Sequence, residues 1–392
     1  MDDIVILGGA RTPMAEYNGA FSDVSAIDLA VAASREALVR SGTDASEIDH
    51  VIIGNALQTS GDAIYGARHV GLKAGVPKEV PALTVNRLCG SGFESIVQAA
   101  HRIQLGEATT VLAGGMENMS QAPHVIRGAR KGLRLGQGQL EDSLMVALLD
   151  SYCGLYMAQT SDRVAAKYGV TRQEQDEYAL SSQQRAAEAW KACRLSEEVV
   201  AVEVKSGRKT VKVERDDHLR PDSTLEGLAA LAPSFGKDGQ VTAGNASGIV
   251  DGAAAVVVTS ADNARSKERE PLGRIVSWAV VGVEPEMMGI GPAPAARAAL
   301  QRAGLTVGQI DLWEINEAFA GQILGVVREL GLDREKLNVN GGAIALGHPL
   351  GATGTRLTLT LLKELKRRGA RYGLAGACIG GGQGIALVLD AA

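Results

Sequence analysis

Residues 35–42 read Arg-Glu-Ala-Leu-Val-Arg-Ser-Gly, and residues 297–304 read Arg-Ala-Ala-Leu-Gln-Arg-Ala-Gly. These segments lie in two longer stretches, 33–56 and 295–318, which share 10 of 24 residues when the sequence is shifted by 262. A match of this length within one chain indicates an internal repeat, and a repeat predicts that the two segments form similar structures.

The same shift of 262 holds in two other places. It brings Leu112-Ala-Gly onto Leu374-Ala-Gly, and Gly92 onto Gly354. Because one register serves three separated segments, we interpret the chain as two duplicated halves. A length of 392 residues agrees with this, since a single hydrophobic core stops growing at roughly 250–300 residues.

Strand and helix patterns recur in both halves. A helical pattern ends at Gly42 in the first half and at Gly304 in the second, and glycine commonly closes helices. Strand-like runs are predicted at residues 51–53, 111–113, 312–315 and 372–375, with further strands closing on 85–86 and 339–340. Strands that alternate with helices predict an α/β fold whose sheet is largely parallel and covered on both faces.

The duplication also reveals an insertion. The second half passes quickly from Cys378 to a last strand at 385–389, whereas the matching strand at 253–258 follows a long excursion. We expect that excursion to form its own layer over a site built by the two halves. The predicted domains are a first half of residues 1–118 and 250–268, an inserted loop domain of residues 119–249, and a second half of residues 269–392.

Composition excludes several classes of protein. A net charge of −5 argues against a general nucleic-acid or membrane-surface binder, and no apolar run reaches the ~18 residues of a spanning helix. The four cysteines form no C-x-x-C pair and no zinc-type cluster, so no metal site is expected. Free thiols and an acidic start unlike a signal peptide predict a cytoplasmic protein.

Cys89 is the first candidate for chemistry. It stands in Leu-Cys-Gly-Ser-Gly at residues 88–92, between a predicted strand and a predicted helix. The positive end of a helix favours a thiolate, and the glycines let a substrate approach the sulfur. The pattern indicates a nucleophile, with a buried structural cysteine as the alternative.

His348 occupies the equivalent loop of the second half. Residues 340–351 read Asn-Gly-Gly-Ala-Ile-Ala-Leu-Gly-His-Pro-Leu-Gly, which is eight residues longer than the first-half loop. The extra length brings a histidine opposite Cys89, so His348 is a candidate base for that thiol.

Two further loops carry candidates. Cys378 precedes Gly380-Gly-Gly, and the phosphate-loop alternative fails because a strand, not a helix, follows these glycines. A cysteine beside free backbone N–H groups suits proton transfer near an oxyanion pocket. Asn316 follows a strand and could serve in catalysis or cap a helix. All four loops stand at the carboxyl ends of strands, where α/β sheets bind ligands.

Five long motifs, in order along essentially the whole chain, resemble those of the thiolases. They are residues 85–92, 242–248, 316–319, 338–349 and 378–384. The resemblance implies a five-layered αβαβα fold built from two halves, with a loop domain inserted in the first. It also implies ping-pong acyl transfer between coenzyme A thioesters, with acetyl-CoA, acyl-CoA and CoA as substrates and no cofactor or metal.

The resemblance assigns roles to five residues. Cys89 would be the acylated nucleophile, His348 its base, and Cys378 the group that exchanges a proton with C2 of acetyl-CoA. Asn316 would hold a water that forms one oxyanion hole with His348. The backbone N–H groups of Cys89 and Gly380 would form the other.

Coenzyme A contacts carry over by position. Arg220 would lie near the nucleotide and Ser247 near the pantetheine. The remaining tunnel residues would be apolar, with an ordinary core role as the alternative for most of them: Leu148, Met157, Phe235, Ala243, Met288, Ala318 and Phe319.

Residues 156–157 depart from the family pattern. They read Tyr-Met, where thiolases specialised for acetoacetyl-CoA usually carry His-Met. The chain is therefore expected to take a broad range of 3-oxoacyl-CoA substrates in fatty-acid β-oxidation or acetoacetyl-CoA metabolism. The alternatives are a strictly short-chain biosynthetic thiolase and a non-catalytic acyl-CoA or lipid-binding relative. A decarboxylating ketoacyl synthase is disfavoured because such enzymes typically lack the second cysteine.

The basic segment 127–134 has two interpretations. It carries Arg127, Arg130, Lys131 and Arg134, with no acidic residue between 121 and 140. A solvated loop is one interpretation, and an oligomer or phosphate contact is the other. By resemblance, this segment assembles family members as homotetramers, which are dimers of dimers.

Overall fold

The computed structural model describes residues 3–391, with only the main chain described at residue 206. The strands in chain order are β1 (Ile4–Arg11), β2 (Ala15–Glu16), β3 (His50–Gly54), β4 (Ala82–Val85), β5 (Thr110–Glu117), β6 (His124–Val125), β7 (Glu141–Asp142), β8 (Leu149–Asp150), β9 (Leu155–Tyr156), β10 (Val202–Ser206), β11 (Lys209–Val213), β12 (Val250–Ser260), β13 (Gly273–Gly282), β14 (Leu312–Ile315), β15 (Tyr372–Ile379) and β16 (Gln383–Asp390).

The α-helices are α1 (Ala26–Arg40), α2 (Gly66–Ala74), α3 (Ser91–Gln104), α4 (Ser143–Ala147), α5 (Met157–Lys167), α6 (Arg172–Lys191), α7 (Leu225–Ala229), α8 (Ala261–Ser266), α9 (Pro292–Ala303), α10 (Ala320–Leu330), α11 (Ala343–Leu346) and α12 (Leu350–Arg368). Among residues 3–391, no helix is long and apolar enough to cross a membrane. Helix α9 ends at Gly304, whose φ of 66° is a left-handed conformation that glycine adopts without strain.

One mixed sheet runs through both halves in the order β14-β15-β16-β13-β1-β12-β5-β3-β4. Only the pairs β3–β4, β3–β5 and β14–β15 are parallel; the others along this path are antiparallel. The prediction of a largely parallel sheet was therefore wrong. The connection from β15 to β16 shows why: a turn of three residues can join only antiparallel neighbours, since parallel strands need a long crossover.

The predicted strand at residues 339–340 was also wrong. The chain makes one isolated parallel bridge there, between Leu337 and Trp313, and then turns. Asn338 and Gly341 adopt φ values of 46° and 77°, which a regular strand does not allow. The turn leads into the long loop that carries His348.

Helices form three layers in the molecule, one between the two halves and one on the outer face of each half. A central layer of α3 and α12 packs on strands from both halves in one shared core. Helices α1 and α2 cover the outer face of the first half, and α9 and α10 cover that of the second. The expected αβαβα arrangement is confirmed.

The two central helices cross at the repeat-related glycines. A Cβ atom on Gly354 would lie 2.2 Å from the backbone nitrogen of Phe93, and one on Gly92 would lie 2.7 Å from that of Thr355. No side chain fits at either position, so the helices approach closely here. This crossing lies beside Cys89 and His348 in sequence and brings their loops to the same place.

The inserted segment is built from small elements. It contains three two-stranded sheets, β6–β7, β8–β9 and β10–β11, and the helices α4 to α7. Helices α5 and α6 pack against α10 of the second half. The insertion thus leaves the first half after β5, covers the second half, and returns at β12.

Arg11 ties the insertion to the sheet. Its guanidinium is fully buried and donates to Glu198 at 2.7 Å and to Asp216 at 2.7 and 2.9 Å. The second oxygen of Glu198 accepts from the Thr360 hydroxyl of α12 at 2.8 Å. These two carboxylates raise the pKa of Arg11 against the opposing effect of burial. Arg11 therefore joins β1 to the insertion directly, and to α12 through Glu198.

We expect Arg11→Leu to lower the free energy of unfolding by about 3–5 kcal/mol, because it leaves two buried carboxylates without their cation. Urea unfolding measures the change. Arg265→Leu is the matched control, since Arg265 pairs with Asp262 in solvent and should shift the midpoint little. Equal shifts for the two variants would contradict the structural role of Arg11.

Candidate active site

Cys89 lies in a 3₁₀ turn, Leu88–Gly90, between β4 and α3. Leu88 has a φ of 47°, an uncommon value for a residue other than glycine. The turn is held by Asn86, whose side chain accepts from the Leu88 N–H at 2.9 Å, and by Ser91, which accepts from the Arg87 N–H at 2.8 Å. The turn that carries the sulfur is thus fixed by side-chain hydrogen bonds on both sides.

The Cys89 side chain is free and half-buried. Burial raises its pKa to about 11; the backbone N–H groups of Gly380 and of Cys89 itself oppose this, and the charge of Glu117 adds to it. The backbone N–H groups do favour the thiolate, as expected of a helix N-terminus, but desolvation outweighs them. Cys89 therefore needs a base to react.

His348 follows α11 and precedes α12, next to Gly347. A Cβ atom on Gly347 would lie 2.3 Å from the side chain of Val250, so only glycine fits. The Nδ1 atom of His348 lies 2.6 Å from Thr353 Oγ1, and its Nε2 atom lies 3.3 Å from Asn316 Nδ2. Burial, assisted by the charge of Arg356, lowers the pKa of His348 to about 3. The imidazole is therefore neutral and has a lone pair that can accept a proton, while the lowered pKa makes it a weaker base than an exposed histidine.

Cys378 stands one residue before the end of β15 and is buried. Burial, together with the nearby Cys89, raises its pKa well above the ordinary value. Cys378, Cys89 and His348 line the same cavity of about 70 Å³. The two halves thus meet at one small chamber that contains two thiols and an imidazole.

Asn316 follows β14, and its backbone N–H donates to the Gly376 carbonyl at 2.9 Å. The alternative that it caps a helix was wrong, because α10 begins at Ala320 with Phe319 at the N-cap position. Its side chain is fully buried, and among residues 3–391 its Oδ1 atom has no hydrogen-bond partner. The amide is therefore available to a small polar molecule beside His348.

Two further cavities lie in series outside this chamber. The outer one, of about 510 Å³, is lined by several charged and polar side chains, including Arg220 and Asp222. It shares Glu16, His218 and Ala243 with a middle one of about 380 Å³. The middle and inner cavities share Leu148, Met157, Ser247, Gly248, Ile249 and Phe319. A long ligand with a polar head and a reactive tip fits this shape.

The predicted coenzyme A contacts all line these cavities. Leu148, Met157, Phe235, Ala243, Ser247 and Phe319 line the middle cavity, Met288 and Ala318 the inner one, and Arg220 the outer one. Arg220 contacts the Glu16 carboxylate and donates to the backbone carbonyls of Asp217 and His218. Its guanidinium is half-exposed.

Sequence reasoning missed several residues of the site. Glu16 and His218 form a pair at 2.9 Å on the tunnel wall although they are 202 positions apart. Thr353 contacts His348, and one signal existed for it: the repeat shift of 262 places it on Ser91, beside Cys89. Within residues 3–391, no group of three or more His, Cys, Asp or Glu side chains is arranged to hold a metal ion.

Known proteins are similar to this chain over nearly its full length. The model of the thiolase N-terminal domain matches residues 4–262, and that of the thiolase C-terminal domain matches residues 269–391. The mitochondrial 3-ketoacyl-CoA thiolase of Homo sapiens is 51% identical over 390 residues, covering 99% of this chain and 98% of that protein. The acetyl-CoA acetyltransferase of Cupriavidus necator is 46% identical over 392 residues, covering 100% of both.

A solved structure agrees with the fold. The crystal structure of human mitochondrial 3-ketoacyl-CoA thiolase in complex with CoA superposes with a TM-score of 0.97 at 50% sequence identity, covering 100% of this chain and 98% of that one. Family models that together match nearly the whole chain, and relatives of this identity, leave one assignment. The chain belongs to the thiolase family.

Proposed function

We propose that this protein catalyses reversible ping-pong acyl transfer: a 3-oxoacyl-CoA and CoA give a shortened acyl-CoA and acetyl-CoA. The observation that carries the proposal is the series of three cavities that ends on Cys89, His348 and Cys378. The reaction needs a thiol nucleophile, two proton-transfer groups and a long thioester site, and one tunnel supplies them all.

In the first half-reaction, Cys89 attacks the 3-oxo carbon of the substrate. Its proton passes to the neutral Nε2 atom of His348, because a thiol with a pKa near 11 reacts only when a base removes the proton. The C2–C3 bond then breaks and the electron pair stays on C2. Cys378 gives its proton to C2, so acetyl-CoA leaves and Cys89 holds the acyl group as a thioester.

In the second half-reaction, the thiol of a new CoA attacks the Cys89 thioester. The CoA proton goes to the Cys378 thiolate left by the first half-reaction, the C–S bond to Cys89 breaks, and His348 returns its proton to Cys89 as acyl-CoA leaves. Condensation runs through the same steps in reverse, with Cys378 taking the proton from C2 of acetyl-CoA. The substrates provide all the atoms transferred, so the proposed reaction uses no cofactor or metal.

Two carbonyl oxygens gain charge during these steps. The backbone N–H groups of Cys89 and Gly380 point toward the reacting sulfur and would hold one oxygen. A water held by Asn316, with His348 once Nε2 carries a proton, would hold the other. Losing one such donor typically slows an enzyme about 10²–10³-fold.

The coenzyme A roles follow the tunnel from outside to inside. Arg220 would meet the nucleotide phosphates in the polar outer cavity, and Ser247 would contact the pantetheine in the middle one. The apolar residues would then line the path to the sulfur. Arg220 is suited to the outer position because its guanidinium offers several donors to a phosphate.

The inner chamber bears on substrate range. Its cavity of about 70 Å³ suits a short acyl group, but three methionines, Met119, Met157 and Met288, form part of its wall. Methionine side chains are flexible and adapt to different occupants. Tyr156, packed on Phe235 with ring centroids 5.4 Å apart, lines the middle cavity. We propose a broad 3-oxoacyl-CoA range on these grounds.

Thiolysis kinetics across 3-oxoacyl-CoA substrates of increasing chain length test the proposal. We expect kcat/KM for medium chains to stay within about tenfold of the four-carbon substrate, since each buried CH₂ contributes about 0.8 kcal/mol of favourable burial that offsets the rearrangement of the methionines. A collapse of kcat/KM beyond four carbons would instead support the strictly short-chain thiolase. CoA binding without turnover of any chain length would support the non-catalytic relative.

We also propose a cytoplasmic homotetramer. The basic segment 127–134 and its neighbourhood expose apolar side chains, including Leu133, Leu135 and Leu140, which a subunit contact would cover. Multi-angle light scattering tests this: a tetramer that dissociates when Leu133 and Leu135 are both changed to Ser supports the contact. The solvated-loop alternative predicts an unchanged mass.

A further inference from the structure

We propose that Thr353 is a positioning residue, which holds the His348 imidazole in the tautomer with hydrogen on Nδ1 and the lone pair on Nε2. The inference rests on the proposed function, in which His348 is the base for Cys89. It adds a side chain that touches neither substrate nor sulfur and acts through His348.

The hydrogen bonds of the Thr353 hydroxyl select the tautomer. Its Oγ1 atom lies 3.1 Å from the carbonyl oxygen of Pro349 and 2.6 Å from Nδ1 of His348. A carbonyl can only accept, and we place the single hydroxyl hydrogen on the bond to Pro349, which also accepts from the backbone N–H groups of Ala352 and Thr353. The hydroxyl oxygen must then accept from Nδ1–H of His348.

The opposite side of the ring agrees. Asn316 Nδ2 lies 3.3 Å from Nε2 of His348, where an amide N–H donates to a lone pair. The other tautomer would require Thr353 to give up Pro349 and Asn316 to reverse its amide. Thr353, Asn316 and His348 are all buried, so water does not compete freely for these bonds.

The repeat supplies an independent parallel. Thr353 lies in the first turn of α12, and its partner at a shift of 262 is Ser91, the first residue of α3. Ser91 donates to the Leu88 carbonyl at 2.7 Å and accepts from the Arg87 N–H. The equivalent hydroxyl of each half thus fixes the loop that carries Cys89 or His348.

A hydroxyl partner has a chemical consequence. A carboxylate at Nδ1 would stabilise the imidazolium that forms when His348 takes the thiol proton. Thr353 is neutral, so it orients the ring without holding that proton on it. The proton can then return to Cys89 in the second half-reaction, as a reaction that runs in both directions requires.

Three variants separate positioning from packing. Thr353→Val removes the hydroxyl and keeps the shape, whereas Thr353→Ser keeps the hydroxyl and loses a methyl group. Thr358→Val is the matched control, because the buried Thr358 hydroxyl also donates to a carbonyl four residues earlier, that of Gly354, at 2.8 Å. Thr353→Ala provides a second hydroxyl-free variant if the valine does not fold.

Two rates are measured on each folded variant: kcat and KM for acetoacetyl-CoA thiolysis, and Cys89 alkylation by iodoacetamide, which needs no thioester. We expect Thr353→Val to lower kcat and the alkylation rate about 10–100-fold with little change in KM. This is less than the ~10²–10⁴-fold that general-base catalysis supplies, because His348 itself remains. Thr353→Ser should restore most of both rates, and Thr358→Val should leave both unchanged.

A packing role predicts the reverse order, with the serine variant worse than the valine variant, and that order would overturn the inference. Unchanged alkylation in Thr353→Val would also overturn it, even if wild-type thiolysis is normal. If the variants show the expected order of alkylation rates but the wild-type protein turns over no thioester, the proposed function fails and the role of Thr353 stands.

Discussion

Cys89→Ala should lower the rate of acetoacetyl-CoA thiolysis on the order of 10⁴-fold or more, as removal of a covalent nucleophile does in enzymes whose groups act as a unit. The remaining groups cannot replace it. His348 is neutral with a pKa near 3, and Cys378 is more deeply buried than Cys89. A steady-state assay of thioester consumption measures the loss.

Binding of CoA should survive this substitution. The outer and middle cavities contain no atom of Cys89, so the dissociation constant of CoA should change little. Cys193→Ala is the matched control, since Cys193 is exposed and lies outside all three cavities. Thiolysis that persists in Cys89→Ala, or that falls equally in both variants, would remove Cys89 from the mechanism.

Cys378→Ser should stop the complete reaction while leaving the first acyl transfer intact. A serine hydroxyl is a much weaker acid than a thiol, so it cannot exchange a proton with C2, and a loss of about 10²–10⁴-fold is expected in both directions. Acetyl transfer from acetyl-CoA to Cys89 breaks no bond to C2. Incubation with acetyl-CoA should therefore still acetylate Cys89.

The two assays on Cys378→Ser give a clear separation. Turnover is followed by steady-state kinetics, and acetylation by mass spectrometry of the Cys89 peptide. Serine has nearly the same size, so the inner chamber keeps its shape. If acetylation falls as far as turnover, Cys378 supports the chamber as a whole, and the proton-transfer role assigned to it is wrong.

The duplicated sequence made much of the site predictable. Cys89 and His348 follow corresponding strands and precede the helices that cross at Gly92 and Gly354, so the repeat alone brought their loops together. Asn316 lies within hydrogen-bond distance of His348, as expected for loops that meet at the same edge of the sheet. The tunnel residues were different: Leu148 or Phe235 could be named only through family resemblance, because their spacing has no distinguishing pattern.

The errors have physical causes that a linear pattern does not contain. Strand direction in β12 and β16 depends on how the chain returns, which hydrophobic runs do not encode. The protonation of Cys89 depends on burial by distant segments, and this outweighed the helix N-terminus. The Glu16–His218 pair joins residues 202 positions apart, a contact that only the folded insertion creates.

Mass spectrometry of the wild-type protein after incubation with acetyl-CoA tests the central claim most directly. We expect one acetyl group, located on the peptide that contains Cys89, and its release as acetyl-CoA when free CoA is added. Folded protein that gains no acetyl group, or that carries it on a residue other than Cys89, would contradict the account.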